Sequence, residues 1–242
     1  MIPRRMTASA SESEPMTRTY RFAMGACAPL IRAWGRLETR GVELLPTSGP
    51  VVLVGNHDSH WDPVAIGVAA RSRRQIRALA KASLWDNKVL APILDGMGQV
   101  PIHRGAGDAD ALETAIVQLR GGACIGVFPE GTISRGKTLR ARSGVGRLAL
   151  DVPEATLVCV AVTGTVDIVR FPRRPRMTAE FFLPESGQID PTEDPTALSA
   201  RCLAEIRAKA PIAVGGRKKT EAKWREAAER EEQSGEAESA LG

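Results

Sequence analysis

No run in this 242-residue chain approaches the roughly eighteen consecutive apolar residues that a membrane-spanning helix requires. The arginines near its start, Arg4 and Arg5, precede no long apolar segment, so an export signal is not evident either. Cysteines are few and scattered: Cys27, Cys124, Cys159 and Cys202 form no CxxC pair, which excludes the common zinc and dithiol arrangements. They read as small buried hydrophobes in a reducing compartment. Aromatics make up only 4% of the chain, and the basic clusters at residues 71–77 and 170–176 have too few rings among them to stack bases. Nucleic acid is therefore not an expected partner. Only three histidines occur, His57, His60 and His103, and His103 lies outside any ligand pair, which makes a metal centre a poor second reading.

What is present is an ordinary globular composition, with 43% hydrophobic and 25% charged residues, enough to bury a core without disulfides. The formal net charge is +5, and the tail from Arg217 to Gly242 holds six basic and seven acidic side chains. The positive excess thus belongs to the body of the chain, which suits phosphate esters or acidic lipid surfaces.

Residues 1–15 have no periodic pattern and are expected to be disordered. Over residues 16–40 Tyr20, Met24, Cys27, Ile31 and Trp34 recur at steps of four and three, the stripe of an amphipathic helix kinked or divided at Pro29. With Arg18, Arg21, Arg32 and Arg36 on it, that helix fits either an anionic bilayer surface or the domain core. Further on, strand patterns at residues 42–45, 51–54, 76–80, 99–102, 123–128, 156–163 and 177–183 alternate with helical ones at 62–70, 85–94, 109–119, 144–150 and 195–209. The fold expected is α/β: a single domain over residues 41–212 with a mixed sheet flanked by helices, an N-terminal amphipathic helix and a charged tail over 213–242.

Three strand-to-loop junctions concentrate the chemistry. Val51 to Val54 lead into Asn56-His57-Asp58-Ser59-His60-Trp61-Asp62, where His57 and Asp62 suit a general base and the carboxylate that fixes its tautomer. Asp62, before Pro63, also reads as a helix cap. A second junction carries Arg104. The third is Phe128-Pro129-Glu130-Gly131-Thr132-Ile133-Ser134-Arg135, and Arg104 and Arg135 are candidate anion anchors because guanidinium matches phosphate geometry.

Asn56-His57-x4-Asp62 resembles the NHx4D motif of the 1-acylglycerol-3-phosphate acyltransferase family, and Phe128 to Thr132 resembles its FPEGT motif. Gly98 to Arg104 is similar to the family's G-x-x-x-I-x-R block, and Val158 to Gly164 to its final apolar block, with Cys159 where a proline is usual. The resemblance implies that His57 deprotonates an acceptor hydroxyl, that Asp62 holds its ring, and that the oxygen attacks the thioester of acyl-CoA or acyl carrier protein. It implies a substrate-binding set of Asn56, Lys81, Arg104, Glu130, Gly131, Thr132 and Arg135. It also implies a lysophospholipid acceptor, most simply 1-acylglycerol 3-phosphate, and a peripheral position at the cytoplasmic face of the cell membrane. No cofactor beyond the acyl donor and no metal is implied. One departure bears on the acceptor: the family commonly reads EGTRS, and here Ile133 stands at the arginine position, with Arg135 two residues later.

Alternatives remain open from sequence. Another lysolipid or a glycolipid is a second acceptor class. His57 as a satisfied buried histidine would leave a lipid-binding protein without catalysis, and Asp58, His60 and Asp62 together would suit a metallo-hydrolase.

Overall fold

The computed structural model describes residues 15–103, 109–168 and 174–213. The expectations for Arg104, for the N-terminal residues up to 14 and for the tail from 214 onward lie outside them. Seven strands form one sheet: β1 (Glu38–Arg40), β2 (Val51–Gly55), β3 (Ile76–Lys81), β4 (Val100–Ile102), β5 (Cys124–Val127), β6 (Thr156–Thr163) and β7 (Thr178–Phe182). Their spatial order is β1-β7-β6-β2-β5-β3-β4, and every pairing is parallel except β6 with β7. The sheet is mixed, as expected.

The helices are α1 (Arg18–Ala28), α2 (Asp62–Ala70), α3 (Leu90–Gly96), α4 (Ala109–Arg120), α5 (Gly144–Asp151) and α6 (Pro195–Lys209). Parallel strands with both faces covered need apolar residues at every position, and β2 is buried throughout. Its pleat sends Val51 and Leu53 into one core with α1 and α2, and Val52 and Val54 into another with α4, α5 and α6. β6 divides in the same way: Val158, Val160 and Val162 face the first core, and Leu157, Cys159 and Ala161 the second.

The N-terminal stripe packs inward. Tyr20, Met24 and Ile31 are buried, with Cys27 and Trp34 against the same cluster. Close approach of α1 to α2 depends on Gly67, since a Cβ there would lie 2.6 Å from the Met24 sulfur. At Pro29 the helix widens instead of breaking: a π-helical segment spans Pro29–Trp34, and the Gly35 N–H reaches back five residues to the Leu30 carbonyl at 2.9 Å.

Four local expectations are corrected. Residues 42–45 are not a strand; Gly41 turns left-handed (φ 64°) and starts a 3-10 turn at Val42–Leu44. The helical segment expected over 16–40 ends at Trp34, and Glu38–Arg40 form β1 instead, a short edge strand in which Glu38, Thr39 and Arg40 carry no apolar alternation. The helix expected over 85–94 divides into a 3-10 turn at Ala82–Asp86 and α3, because the Asn87 side chain accepts the N–H groups of Val89 and Leu90 and starts the chain anew. Finally, Asp62 is not the cap of α2: Trp61 holds that place, and the Asp62 carboxylate turns back into the loop before it.

Candidate active site

Five adjacent strands, β6, β2, β5, β3 and β4, run parallel, so their carboxyl ends meet along one edge of the sheet. Onto that edge the chain brings the 56–62 loop after β2, the 128–135 loop after β5, Lys81 at the end of β3, and His103 and Thr165 just past β4 and β6. Rigid strands with converging loops make this edge the usual ligand site of open α/β sheets.

His57 is fixed from three directions. Its N–H donates to Glu130 Oε2 at 2.8 Å, and its carbonyl accepts the Ser134 N–H at 2.8 Å. Its ring stacks on Phe128 with centroids 4.4 Å apart and planes 17° from parallel. Its Nδ1 lies 3.2 Å from Asp62 Oδ2. Asp62 is fully buried, and the same Oδ2 accepts the N–H groups of Asp58 (2.6 Å) and Ser59 (2.7 Å), while Oδ1 accepts the Thr165 hydroxyl. An ionised carboxylate only accepts, so the network assigns the ring proton to Nδ1 and leaves a lone pair on Nε2. Among the described residues Nε2 has no hydrogen-bond partner, and His57 lines a cavity of about 930 Å³.

Behind the histidine lies a buried ionic cluster. Arg207, in the last turn of α6, donates to Asp58 through Nη1 (2.8 Å) and Nη2 (2.9 Å), and to Glu130 Oε1 through Nε (3.2 Å) and Nη2. Asp58 also accepts the Ser134 hydroxyl and, at 3.1 Å, the Asn56 amide. Burial alone would raise the Asp58 carboxyl, but the bonds from Arg207, Ser134 and Asn56 outweigh it and hold the group below its ordinary 3.8. Its contribution to stability is therefore complete at neutral pH and is lost on acidification below that ordinary value, as the carboxyl protonates. For Arg207 burial works against the charge, and the bonds to Asp58 and Glu130 prevail and raise its pKa.

The residues singled out from sequence thus separate into two groups. Gly131, Thr132, Arg135 and Lys81 line the cavity with His57. Glu130 and Asn56 do not: Glu130 is 2% exposed and committed to Arg207 and the His57 backbone. Asn56 donates to the Val162 carbonyl (2.9 Å) and accepts the Val162 N–H (2.8 Å), which ties the loop to β6. Both position the loop. Two contributors carry no motif. Arg207 sits 77 residues beyond Glu130 with nothing in its surroundings to mark it. Arg142 lies across Gly131, where a Cβ would come within 2.8 Å of its Cδ; here the density of arginines following the 128–135 loop was a readable signal.

The cavity has two characters. Its inner wall is apolar, with Tyr20, Met24, Ile66, Leu112 and Val160 among its residues. Toward the loops it carries Lys81, Arg135, Arg142 and Arg147, whose side chains make no hydrogen bond or ion pair to a described residue, against one carboxylate among the described lining residues, Glu113. Burial raises the Cys124 thiol to about 12, which keeps it protonated. Among the described residues no three His, Cys, Asp or Glu side chains gather as a metal site, and the Asp58 and Asp62 oxygens are occupied by donors.

Residues 36–163 match the protein family described as "Acyltransferase". Over 169 residues the chain is 25% identical to the 1-acyl-sn-glycerol-3-phosphate acyltransferase of Bacillus subtilis (strain 168), covering 70% of this chain and 74% of that protein. Among solved structures, it is similar to the 1-acyl-sn-glycerophosphate (LPA) acyltransferase PlsC from Thermotoga maritima. That likeness has a TM-score of 0.55 at 20% identity, over 80% of this chain and 85% of the other, and speaks to the fold.

Proposed function

The chain belongs to the acyltransferase family, and from that premise we propose that it transfers a fatty acyl group from acyl-CoA or acyl carrier protein to the free hydroxyl of a lysophospholipid. The acceptor that fits best is 1-acylglycerol 3-phosphate, giving phosphatidic acid; the Bacillus subtilis relative is named for that acceptor. The observation that carries the reading is the cavity itself. A histidine whose Nε2 has no hydrogen-bond partner among the described residues opens onto a space with a cationic mouth and an apolar wall, the two halves of a phosphate-bearing lipid.

In this mechanism Nε2 takes the proton of the acceptor hydroxyl as its oxygen attacks the thioester carbon. Asp62 stabilises the imidazolium that forms. The carbon–sulfur bond then breaks, and the departing thiolate recovers the proton from Nε2. A thioester is activated already, so a positioned base suffices, and neither a cofactor beyond the acyl donor nor a metal takes part. The anionic headgroup is held by Lys81, Arg135, Arg142 and Arg147, beside Gly131 and Thr132, which line the same cavity. Ile133, which also lines the cavity, leaves room for an acceptor other than the phosphomonoester, such as another lysolipid or a glycolipid.

Purified protein given a labelled acyl-CoA or acyl carrier protein and a panel of lysolipids should acylate 1-acylglycerol 3-phosphate in preference to the others. Mass spectrometry of the product reads the outcome; preference for an uncharged acceptor would transfer the reading to the second class, and inertness toward the whole panel would end it.

No helix among the described residues is long and apolar enough to cross a membrane. The lipid acceptor must nonetheless come from a bilayer. The α1 stripe packs inward while Phe22 on its outer side is 79% exposed, and in this proposal the docking surface extends from there over the segment from Ala82 to Gly96 packed beside it. Leu84, Val89 and Ile93 are exposed there, Val89 by 75%, beside Lys88, and Leu84 also lines the cavity. Val89→Asp should weaken sedimentation with vesicles containing anionic lipid several-fold while leaving turnover of a detergent-dispersed acceptor unchanged. Undiminished vesicle binding would place the docking surface elsewhere.

A further inference from the structure

We propose that Arg207 is a positioning residue for the His57 base, reaching it through the two carboxylates that hold the loop. This inference rests on the acyltransfer reading above. Arg207 is 149 residues from Asp58 in sequence and lies outside the 36–163 segment that matches the family. Its guanidinium is nonetheless the shared counter-ion of Asp58 and Glu130, which are 6% and 2% exposed.

Each of those carboxylates leads to His57 by a short route. Glu130 Oε1 accepts from Arg207, and its Oε2 accepts the His57 N–H. Asp58 accepts from Arg207 and from the Ser134 hydroxyl, and the Ser134 N–H donates to the His57 carbonyl. Both backbone polar groups of His57 are therefore held by residues that Arg207 draws together. A fourth group bears on the cluster: the Asp62 carboxylate accepts the N–H groups of Asp58 and Ser59. Three buried carboxylates thus surround the base, and one cation compensates two of them. A guanidinium does this because its planar fork offers several donors in fixed directions, which an ammonium lacks. Without it the buried carboxylates Asp58 and Glu130 face one another uncompensated, and their repulsion shifts His57 relative to the cavity.

A displacement of about 1 Å at a catalytic group costs on the order of 100-fold in rate. Arg207→Lys, which keeps the charge and loses the fork, should lower kcat by roughly 10–100-fold, with KM within about a factor of two of wild type. Arg207→Ala should lose more, and millimolar guanidinium in the assay should restore part of its kcat and leave wild type unaffected. Circular dichroism melts run alongside report folding. The inference is overturned if the folded Arg207→Lys protein turns over at the wild-type rate, if the loss appears in KM alone, or if guanidinium restores nothing. It is equally overturned if both variants are unfolded at the assay temperature, since the arginine is then a structural strut. Wild-type protein inert toward every acceptor would instead sink the acyltransfer reading, so the two failures are distinguishable.

Discussion

His57→Ala should lower kcat for acyl transfer by about 10²–10⁴-fold, the usual worth of a positioned general base, and leave the fold intact. The expectation of an intact fold follows from the surroundings. The side chain is 13% exposed, sits at the wall of an existing cavity, and makes one ring stack and one side-chain hydrogen bond. Asp62 Oδ2 keeps its two backbone donors when the ring is gone, so no buried carboxylate is orphaned. Binding of the lysolipid, measured by calorimetry, should change little, because the cationic mouth and apolar wall remain. His57→Gln, which can hydrogen-bond but cannot shuttle a proton at neutral pH, should be as inactive as alanine. A His57→Ala protein that acylates its acceptor at the wild-type rate would remove the base from the mechanism and leave a lipid-binding cavity without this chemistry.

The second large effect belongs to Asp62→Asn, and it should appear in both activity and stability. Asparagine has the shape of aspartate but turns one acceptor oxygen into an NH2 group. With that group at Oδ2, it faces the N–H groups of Asp58 and Ser59; with it at Oδ1, it replaces the acceptor of the Thr165 hydroxyl. Leaving such buried donors unsatisfied costs about 1–3 kcal/mol, or a fall in melting temperature of about 2–12 °C for a chain of this size. In either orientation the neutral amide no longer stabilises the imidazolium, and with its NH2 at Oδ2 it also forces the ring proton onto Nε2, which removes the lone pair from the cavity side. The loss of kcat should therefore fall in the same 10²–10⁴-fold range as removal of the base. Differential scanning calorimetry beside a steady-state assay reads both consequences. Normal turnover in a destabilised variant would show that Asp62 ties the loop and does nothing for the ring.

The elements at the centre of the sheet were legible because burial dictates them. The strand at residues 156–163 and the helix at 195–209 have the bounds expected from sequence, since an uninterrupted apolar run between turns, or a proline-started helix with a regular buried face, admits few other states. β1 was illegible for the opposite reason: an edge strand of Glu, Thr and Arg carries no burial signal, and its partner β7 is 140 residues away in the chain. The juxtaposition of His57 and Asp62 followed from spacing, five positions across one loop. The duties of Asn56 and Glu130 did not, because a polar residue in a motif looks the same from sequence whether it faces a ligand or a neighbouring backbone. Arg207 illustrates the limit more sharply: its partners are fixed by how α6 crosses the end of the sheet, a property of the whole fold that no local pattern records.

The inward packing of α1 bears on how this domain can be divided or recombined. The 36–163 segment that carries the recognisable motifs is not an independent unit. Tyr20 and Met24, ahead of it, form part of the cavity wall, while β7 covers one flank of β6 and α6 brings Arg207 from behind. A graft that exchanged only the motif-bearing segment would leave a cavity open on one side, a bare strand edge and two unpaired buried carboxylates. The smallest piece that can be transplanted with its chemistry begins before α1 and ends after α6.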